Sequence, residues 1–233
     1  MTAAELAATL DSTNLRLDAT EADIATLCDE AAVERFACVM IYPASVSFAA
    51  QRLRGTGTRI GTVIGFPSGR FSTQGKRAEI EAAQAAGAHE VDIVMNYPAL
   101  REGRGAEAGD EIAALTARAH ELGLLVKVIV ETCYLDDAQR LAVLRLCEAA
   151  GVDFIKTSTG FGSAGARVED IRAWAAARSR AIGLKASGGI KTLADAQALL
   201  AAGATRLGTS SAGAIVAAFR GQTPQAPAAS GSY

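Results

Sequence analysis

Short runs rich in β-branched residues alternate with longer stretches rich in Ala, Leu and Glu, and this alternation constrains the fold more than any other feature. Successive runs lie about 25–35 residues apart, which is the length of one strand followed by one helix. The short segment LDSTNL (10–15) supplies an eighth strand ahead of the seven runs. The seven runs are FACVMIYP (36–43), RIGTVIGFP (59–67), HEVDIVMNY (89–97), LLVKVIVET (124–132), VDFIKTST (152–159), AIGLKASGG (181–189) and TRLGTSS (205–211).

Eight strand–helix units predict an α/β fold, a single-domain (β/α)8 TIM barrel. Several helical stretches end in glycine just before the next strand, as in AAQAAGAHE and LLAAGATR. An open doubly wound sheet is the alternative, but it usually carries a Gly-rich turn after its first strand, and this sequence has none there. We therefore expect a short N-terminal helix, a barrel over residues 1–219 and a flexible tail over 220–233, which is rich in Pro, Ala, Ser and Gly.

The composition argues against several classes of function. A net charge of −2 over 233 residues argues against nucleic-acid binding and against an anionic membrane surface. The four cysteines form no C-x-x-C pair and there are two histidines, so we expect no zinc site. The N-terminus lacks the features of a secretory signal, and no segment reaches the ~18 apolar residues of a membrane span. A reducing cytoplasm is the expected location.

Charged side chains fall on one face of several predicted strands. Because side chains alternate along a strand, residues two apart point the same way. Asp92 therefore shares a face with Val94 and Asn96, and Lys127 shares one with Glu131. The same phase aligns Lys156 with Ser158, Lys185 with Ser187, and Arg206 with Gly208 and Ser210. The opposite faces are apolar, so we expect helices on the outside and charges in the barrel interior.

Lys156 and Lys185 stand on consecutive strands, and each is flanked by small residues that leave space for a ligand. Two cations about 4 Å apart repel by roughly 4 kcal/mol at an effective dielectric of about 20. That repulsion could lower the pKa of one lysine from about 10.4 towards neutrality. A neutral amine attacks carbonyls, and a carboxylate such as Asp92 could then move the protons. The pair predicts Schiff-base chemistry, whereas for Lys127 and Arg206 a static salt-bridge network is an equal alternative.

Two small-residue loops in the C-terminal part indicate an anion site. Ser187, Gly188 and Gly189 follow one strand, and Gly208 to Ser211 end the next. Barrel enzymes frequently bind phosphate with the loops after strands seven and eight, where glycine lets backbone N–H groups approach the ligand.

The segments LDSTNL, EVDIVMN, KVIVET, FIKTSTGF, GLKASGGI and RLGTSS occur in the order typical of the deoxyribose-phosphate aldolase family, which the chain resembles from about residue 10 to residue 215. The resemblance implies a class I aldolase, a lyase that needs no metal or organic cofactor. It also implies reversible cleavage of 2-deoxy-D-ribose 5-phosphate to D-glyceraldehyde 3-phosphate and acetaldehyde, in deoxyribonucleotide catabolism. The expected partners are these small molecules, and a homodimer is one compatible assembly.

By motif, the resemblance assigns Lys156 as the Schiff-base lysine, Lys185 as the cation that lowers its pKa, and Asp92 as the proton donor and acceptor. Asp11 of LDSTNL would hold the lysine network or the substrate hydroxyls. Tyr233, the last residue, would assist proton transfer at the acetaldehyde carbon, unless the terminus is simply disordered. The residues expected around the phosphate are Thr159, Ser187, Gly188, Gly189, Gly208, Ser210 and Ser211.

One position departs from the family pattern. Many members carry cysteine three residues before the proline that ends the first long strand, whereas this sequence has Met40 before Pro43 and places Cys38 deeper on the same face. Aldehyde-derived electrophiles trap thiols and not thioethers. We therefore hypothesise that this chain tolerates acetaldehyde better than members with the cysteine.

Three other functions remain open on the residues alone. One is a Schiff-base aldolase with a different donor, and another is a non-catalytic barrel that binds sugar phosphates. The third is a metal-dependent aldolase, which the scarcity of histidine disfavours.

Overall fold

Eight parallel strands form a closed barrel in a computed structural model that describes residues 1–179 and 181–222. Each strand pairs with its neighbours in chain order, and β1 also pairs with β8, so the barrel prediction is confirmed and the open doubly wound sheet is wrong. The strands are β1 (Leu10–Asn14), β2 (Cys38–Ile41), β3 (Arg59–Ile64), β4 (Glu90–Val94), β5 (Leu125–Ile129), β6 (Phe154–Lys156), β7 (Gly183–Ser187) and β8 (Arg206–Thr209). Every predicted run contains one of them.

Helices follow the strands and cover the outside of the barrel. Thr20 and Thr192 each begin a helix with a capping box, in which the threonine side chain and an aspartate three residues later satisfy free backbone N–H groups. In the described residues, no helix combines the length and apolarity needed to cross a bilayer. The helices are α1 (Ala3–Ala7), α2 (Glu21–Glu34), α3 (Val46–Arg52), α4 (Thr73–Ala85), α5 (Tyr97–Arg101), α6 (Gly105–Glu121), α7 (Asp137–Ala149), α8 (Val168–Ala177), α9 (Leu193–Ala201) and α10 (Ala212–Phe219), with 3-10 turns at Pro43–Ser45 and Thr132–Tyr134.

The main apolar core lies between the strands and the helices. Val91 and Ile93 of β4, Val126 and Val128 of β5, and Leu184 of β7 point outward into this layer and are buried. A smaller apolar cluster of Leu15, Cys38, Met40 and Val63 is separate from that layer. The alternation predicted from the sequence therefore holds, and the charged faces of the strands point into the barrel.

The strand register sets the positions of the charged residues. Lys156 of β6 is directly opposite Lys185 of β7, and Asp92 of β4 is directly opposite Lys127 of β5. The last helix ends at Phe219, and residues 223–233 lie outside the described residues. The tail and the role of Tyr233 therefore stay predictions.

Candidate active site

Asp92 joins three lysines inside the barrel. Its Oδ2 accepts hydrogen bonds from Lys156 Nζ at 2.6 Å and from Lys185 Nζ at 2.8 Å, and its Oδ1 accepts one from Lys127 Nζ at 2.9 Å. The side chains of Asp92, Lys127 and Lys185 are fully buried, and Lys156 is 3% exposed. The structure thus brings together the predicted lysine pair and the predicted carboxylate, and adds a third lysine.

Asp11 is the second carboxylate of this network. Lys185 Nζ lies 2.5 Å from Asp11 Oδ2, and Arg206 donates to Asp11 Oδ1 at 2.7 Å. Asp11 and Asp92 therefore both accept hydrogen bonds from Lys185, which fixes the position of that ammonium group.

Glu90 is a third carboxylate, and the sequence analysis did not identify it. Its Oε2 lies 2.5 Å from Lys127 Nζ and 3.6 Å from Arg206 Nη1, and its Oε1 lies 2.7 Å from Nε of the partly exposed Arg59. Glu90 has the same strand phase as Asp92, which was the available signal.

The environment shifts the pKa values of the central groups in opposite directions. Burial is the largest cause that lowers the pKa of Lys156 to about 8; Lys185 and Lys127 lower it further, while Asp92 opposes them. Repulsion by the neighbouring Lys185, the cause predicted from the sequence, therefore lowers the pKa of Lys156 less than burial does. Burial works against ionisation of Asp92, yet the three lysines hold its pKa well below the ordinary value. Lys156 can therefore lose its proton near neutral pH.

Lys156 opens into a pocket at the carboxyl ends of β6, β7 and β8. The predicted residues that line this pocket with Lys156 are Thr159, Ser187, Gly188, Gly189, Gly208 and Ser210. Ser211 is not among the lining residues and lies next to the first turn of α10. Lys191, which the sequence analysis missed, supplies a cation to the lining.

The loops after β6 and β7 touch through their backbones. Ala166 N–H donates to the carbonyls of Ser187 and Gly188 at 3.0 and 3.1 Å. Gly188 has φ +85°, and a Cβ there would lie 3.0 Å from Gly165 Cα, so only glycine fits this close approach. The Ser187 hydroxyl donates to Ser158 O at 2.6 Å, which fixes the serine beside the pocket.

Comparison with known proteins identifies the family. The sequence model of the DeoC/LacD family aldolases matches residues 6–217. The chain belongs to this family. The deoxyribose-phosphate aldolase of Carboxydothermus hydrogenoformans is 45% identical over 214 residues, 91% of this chain and 94% of that protein. The corresponding enzyme of Aciduliprofundum boonei is 43% identical over 210 residues, 90% and 95% of the two chains. The tetrameric structure of deoxyribose phosphate aldolase from Aeropyrum pernix superimposes with a TM-score of 0.88 at 32% identity, covering 94% of this chain and 92% of that one.

In this DeoC/LacD aldolase, Glu131 organises the loop that follows the Lys156 strand. Glu131 is 1% exposed and has a left-handed backbone with φ +55°. Its carboxylate accepts hydrogen bonds from both the backbone N–H and the hydroxyl of Thr159. Burial raises the pKa of Glu131. Thr159 lines the pocket, but its hydroxyl is directed to Glu131, which the sequence analysis did not foresee.

Asp11, Cys38 and Glu90 are the described residues whose donor atoms come close enough to suggest a metal. Lys185 and Arg206 already pair with Asp11, and Lys127 pairs with Glu90. Burial, with the nearby Glu90 and Asp11, raises the pKa of Cys38 well above its ordinary value, so the thiol is protonated. A divalent cation would meet these ammonium and guanidinium groups, and the cluster does not fit a metal.

Proposed function

We propose that this DeoC/LacD aldolase reversibly cleaves 2-deoxy-D-ribose 5-phosphate to D-glyceraldehyde 3-phosphate and acetaldehyde through a Schiff base on Lys156. One observation carries the proposal: Lys156, with its pKa lowered to about 8, lies at 2.6 Å from Asp92 and opens into a pocket flanked by small-residue loops. The relatives at 41–45% identity that share this reaction name support the choice of substrate.

The first half of the reaction forms the covalent intermediate. The neutral amine of Lys156 attacks C1 of the open-chain sugar, and the carbinolamine loses water to give an iminium ion. Lys185, which donates hydrogen bonds to Asp11 and Asp92, serves as a proton donor for the departing hydroxyl.

The second half breaks the carbon–carbon bond. A water bound by Asp92 and Lys185 accepts the proton of the C3 hydroxyl, the C2–C3 bond breaks, and its electron pair passes to the iminium to give an enamine.

The carbon count of the products fixes the bond that breaks as C2–C3, because acetaldehyde contains C1 and C2 whereas D-glyceraldehyde 3-phosphate contains C3, C4 and C5. Loss of the C3 hydroxyl proton turns C3 into the new aldehyde carbon, and the electron pair of the C2–C3 bond forms the enamine on C1 and C2. D-Glyceraldehyde 3-phosphate then leaves, while the two-carbon enamine stays on Lys156. Protonation at C2 and hydrolysis release acetaldehyde and restore the free amine.

The loops after β7 and β8 would hold the phosphate. Gly188 and Gly189 have positive φ, and Ser210 precedes the N-terminal end of α10, where backbone N–H groups favour an anion. Lys191 adds a positive charge to the same lining. The three-carbon end of the sugar would thus point away from the buried lysines, which leaves C1 beside Lys156.

The reaction balances without a redox group or a metal. The iminium ion formed on Lys156 accepts the electron pair, and the carboxylates and Lys185 move the protons. We expect unchanged activity in EDTA. Loss of activity on chelation, with recovery on adding a divalent cation, would favour the metal-dependent alternative.

The deciding experiment is borohydride reduction in the presence of acetaldehyde, followed by peptide mass spectrometry. The expected result is an ethyl group on the peptide that contains Lys156, and its loss in Lys156→Ala together with turnover. A chain that binds deoxyribose phosphate without a reducible adduct would be a non-catalytic binder. An adduct with another carbonyl donor but not with acetaldehyde would indicate a different aldolase.

Assembly, location and the tail belong to the same proposal. A homodimer and a reducing cytoplasm are proposed, and light scattering and cell fractionation would test them; the Aeropyrum pernix relative is tetrameric. The four cysteines are free thiols, which suits a reducing compartment. Tyr233→Phe should slow hydrogen exchange at the methyl group of acetaldehyde if Tyr233 assists proton transfer.

A further inference from the structure

We propose that Lys127 is a positioning residue that keeps Lys156 neutral, by holding the far oxygen of Asp92 and by adding a permanent positive charge to the barrel interior. The inference rests on the proposed function, in which Lys156 is the nucleophile. Lys127 is absent from the pocket lining, so in this role it acts through Asp92 and not on the substrate.

The two oxygens of Asp92 have different donors. Lys127 donates to Oδ1, whereas Lys156 and Lys185 share Oδ2. Lys127 is itself held by Glu90 at 2.5 Å and lies 3.8 Å from Asp11. Without Lys127, Oδ1 would also be available to Lys156, and a more exposed negative charge would favour the protonated amine.

The charges of this network balance when Lys156 is neutral. The ion-paired groups of the described barrel interior comprise four cations and three carboxylates, so loss of one proton leaves three of each sign. The cations are Lys127, Lys156, Lys185 and Arg206, and the carboxylates are Asp11, Glu90 and Asp92. If the charge of Lys127 were removed while Lys156 was neutral, two cations, Lys185 and Arg206, would face three carboxylates. A proton on Lys156 would then restore equal numbers of positive and negative charges.

Other charged groups near the network do not alter this count. Arg59 reaches Glu90 from the barrel rim with its side chain 45% exposed, where water screens its charge. Glu131 faces Lys156 from the end of β5, but burial raises its pKa and Thr159 donates to its carboxyl group. Cys38 is protonated. The fixed charge that Lys127 supplies is therefore not duplicated by these groups.

The test compares the pH dependence of acetaldehyde trapping in three variants. In Lys127→Met, the acid limb of the trapping rate should move up by at least about one pH unit, which is a roughly tenfold loss at neutral pH that is regained at high pH. In Lys127→Met combined with Glu90→Gln, two cations again face two carboxylates, and the limb should return towards that of the parent. Glu90→Gln alone should move the acid limb of the trapping rate to lower pH. This third measurement tests the inference even if the Lys127 variants fail to fold.

Lys76→Met is the matched control. Lys76 is a fully buried lysine paired with Glu111 at 2.9 Å, outside the barrel network. Its replacement should lower the thermal unfolding midpoint without moving the acid limb. An unchanged limb in folded Lys127→Met, or a double variant no closer to the parent than the single one, would overturn the inference. Absence of an adduct on Lys156 in the parent chain would instead overturn the proposed function.

Discussion

Lys156 Nζ lies 2.6 Å from Asp92 Oδ2, so the proposed nucleophile and the proposed proton carrier are in direct contact. Asp92→Asn removes the charge that favours protonated Lys156 and also removes the proton acceptor. We expect borohydride trapping of acetaldehyde at neutral pH to persist, while turnover of 2-deoxyribose 5-phosphate falls about 10²–10⁴-fold. Parallel trapping and steady-state assays would measure both. Turnover within a few-fold of the parent would show that Asp92 does not carry the proton.

The pKa of Asp11 predicts the acid sensitivity of the fold. Although burial opposes ionisation, Lys185, Lys127 and Arg206 lower the pKa of Asp11 to about 2. A folded-state pKa below the unfolded value of about 3.9 stabilises the protein above pH ~4, and this stabilisation is lost as the pH falls through 2. Asp11→Asn should lower the free energy of unfolding at pH 7 by about 3–5 kcal/mol, because it leaves buried cations unpaired.

Asp29→Asn provides the control for that measurement. Asp29 also pairs with an arginine, Arg52, but its side chain is 58% exposed. Urea unfolding should show a much smaller change for Asp29→Asn, and the deficit of Asp11→Asn should shrink below pH 4. Equal effects of the two substitutions would contradict the importance assigned to burial.

The sequence predicts the barrel because a period of two within the strands and glycine at helix ends are local signals. The same phase placed Lys156, Lys185 and Asp92 on inward faces, and the register confirms that the two lysines are opposite each other. The Lys127–Glu90 pair joins residues from different strands, and its formation depends on how long side chains pack in the interior. No local pattern encodes that packing, so the sequence left Lys127 undecided.

The sequence placed Lys156 in the barrel interior but did not show how strongly burial there lowers its pKa. The pair of cations suggested repulsion as the cause of its low pKa, whereas the structure makes burial the larger cause. The Glu131–Thr159 contact depends on a left-handed backbone at a glutamate, a conformation that sequence propensity does not favour. These features arise from the closed barrel as a whole.

Met40 gives a prediction about aldehyde tolerance. Its side chain is fully buried beside Leu15 and Cys38, and the Cys38 thiol is protonated and buried. We expect Met40→Cys to lose activity in excess acetaldehyde several times faster than the parent, because it would place a thiol beside Leu15, which lines the pocket. Residual activity over time and peptide mapping would measure this. Equal rates of loss in the two proteins would contradict the hypothesis.

Ser210 tests the phosphate site. Ser210 lines the pocket, so a carboxylate there would repel the phosphate, and Ser210→Asp should raise KM for 2-deoxyribose 5-phosphate by about tenfold or more. KM for unphosphorylated 2-deoxyribose should change little, because that sugar carries no charge to repel. Ser211→Asp adds the same charge one residue further on, outside the lining and at the start of α10, where aspartate is a favourable cap. It should therefore raise KM less than Ser210→Asp does. If Ser210→Asp and Ser211→Asp raised KM by the same factor, and did so for the phosphorylated and the unphosphorylated sugar alike, the phosphate would bind elsewhere.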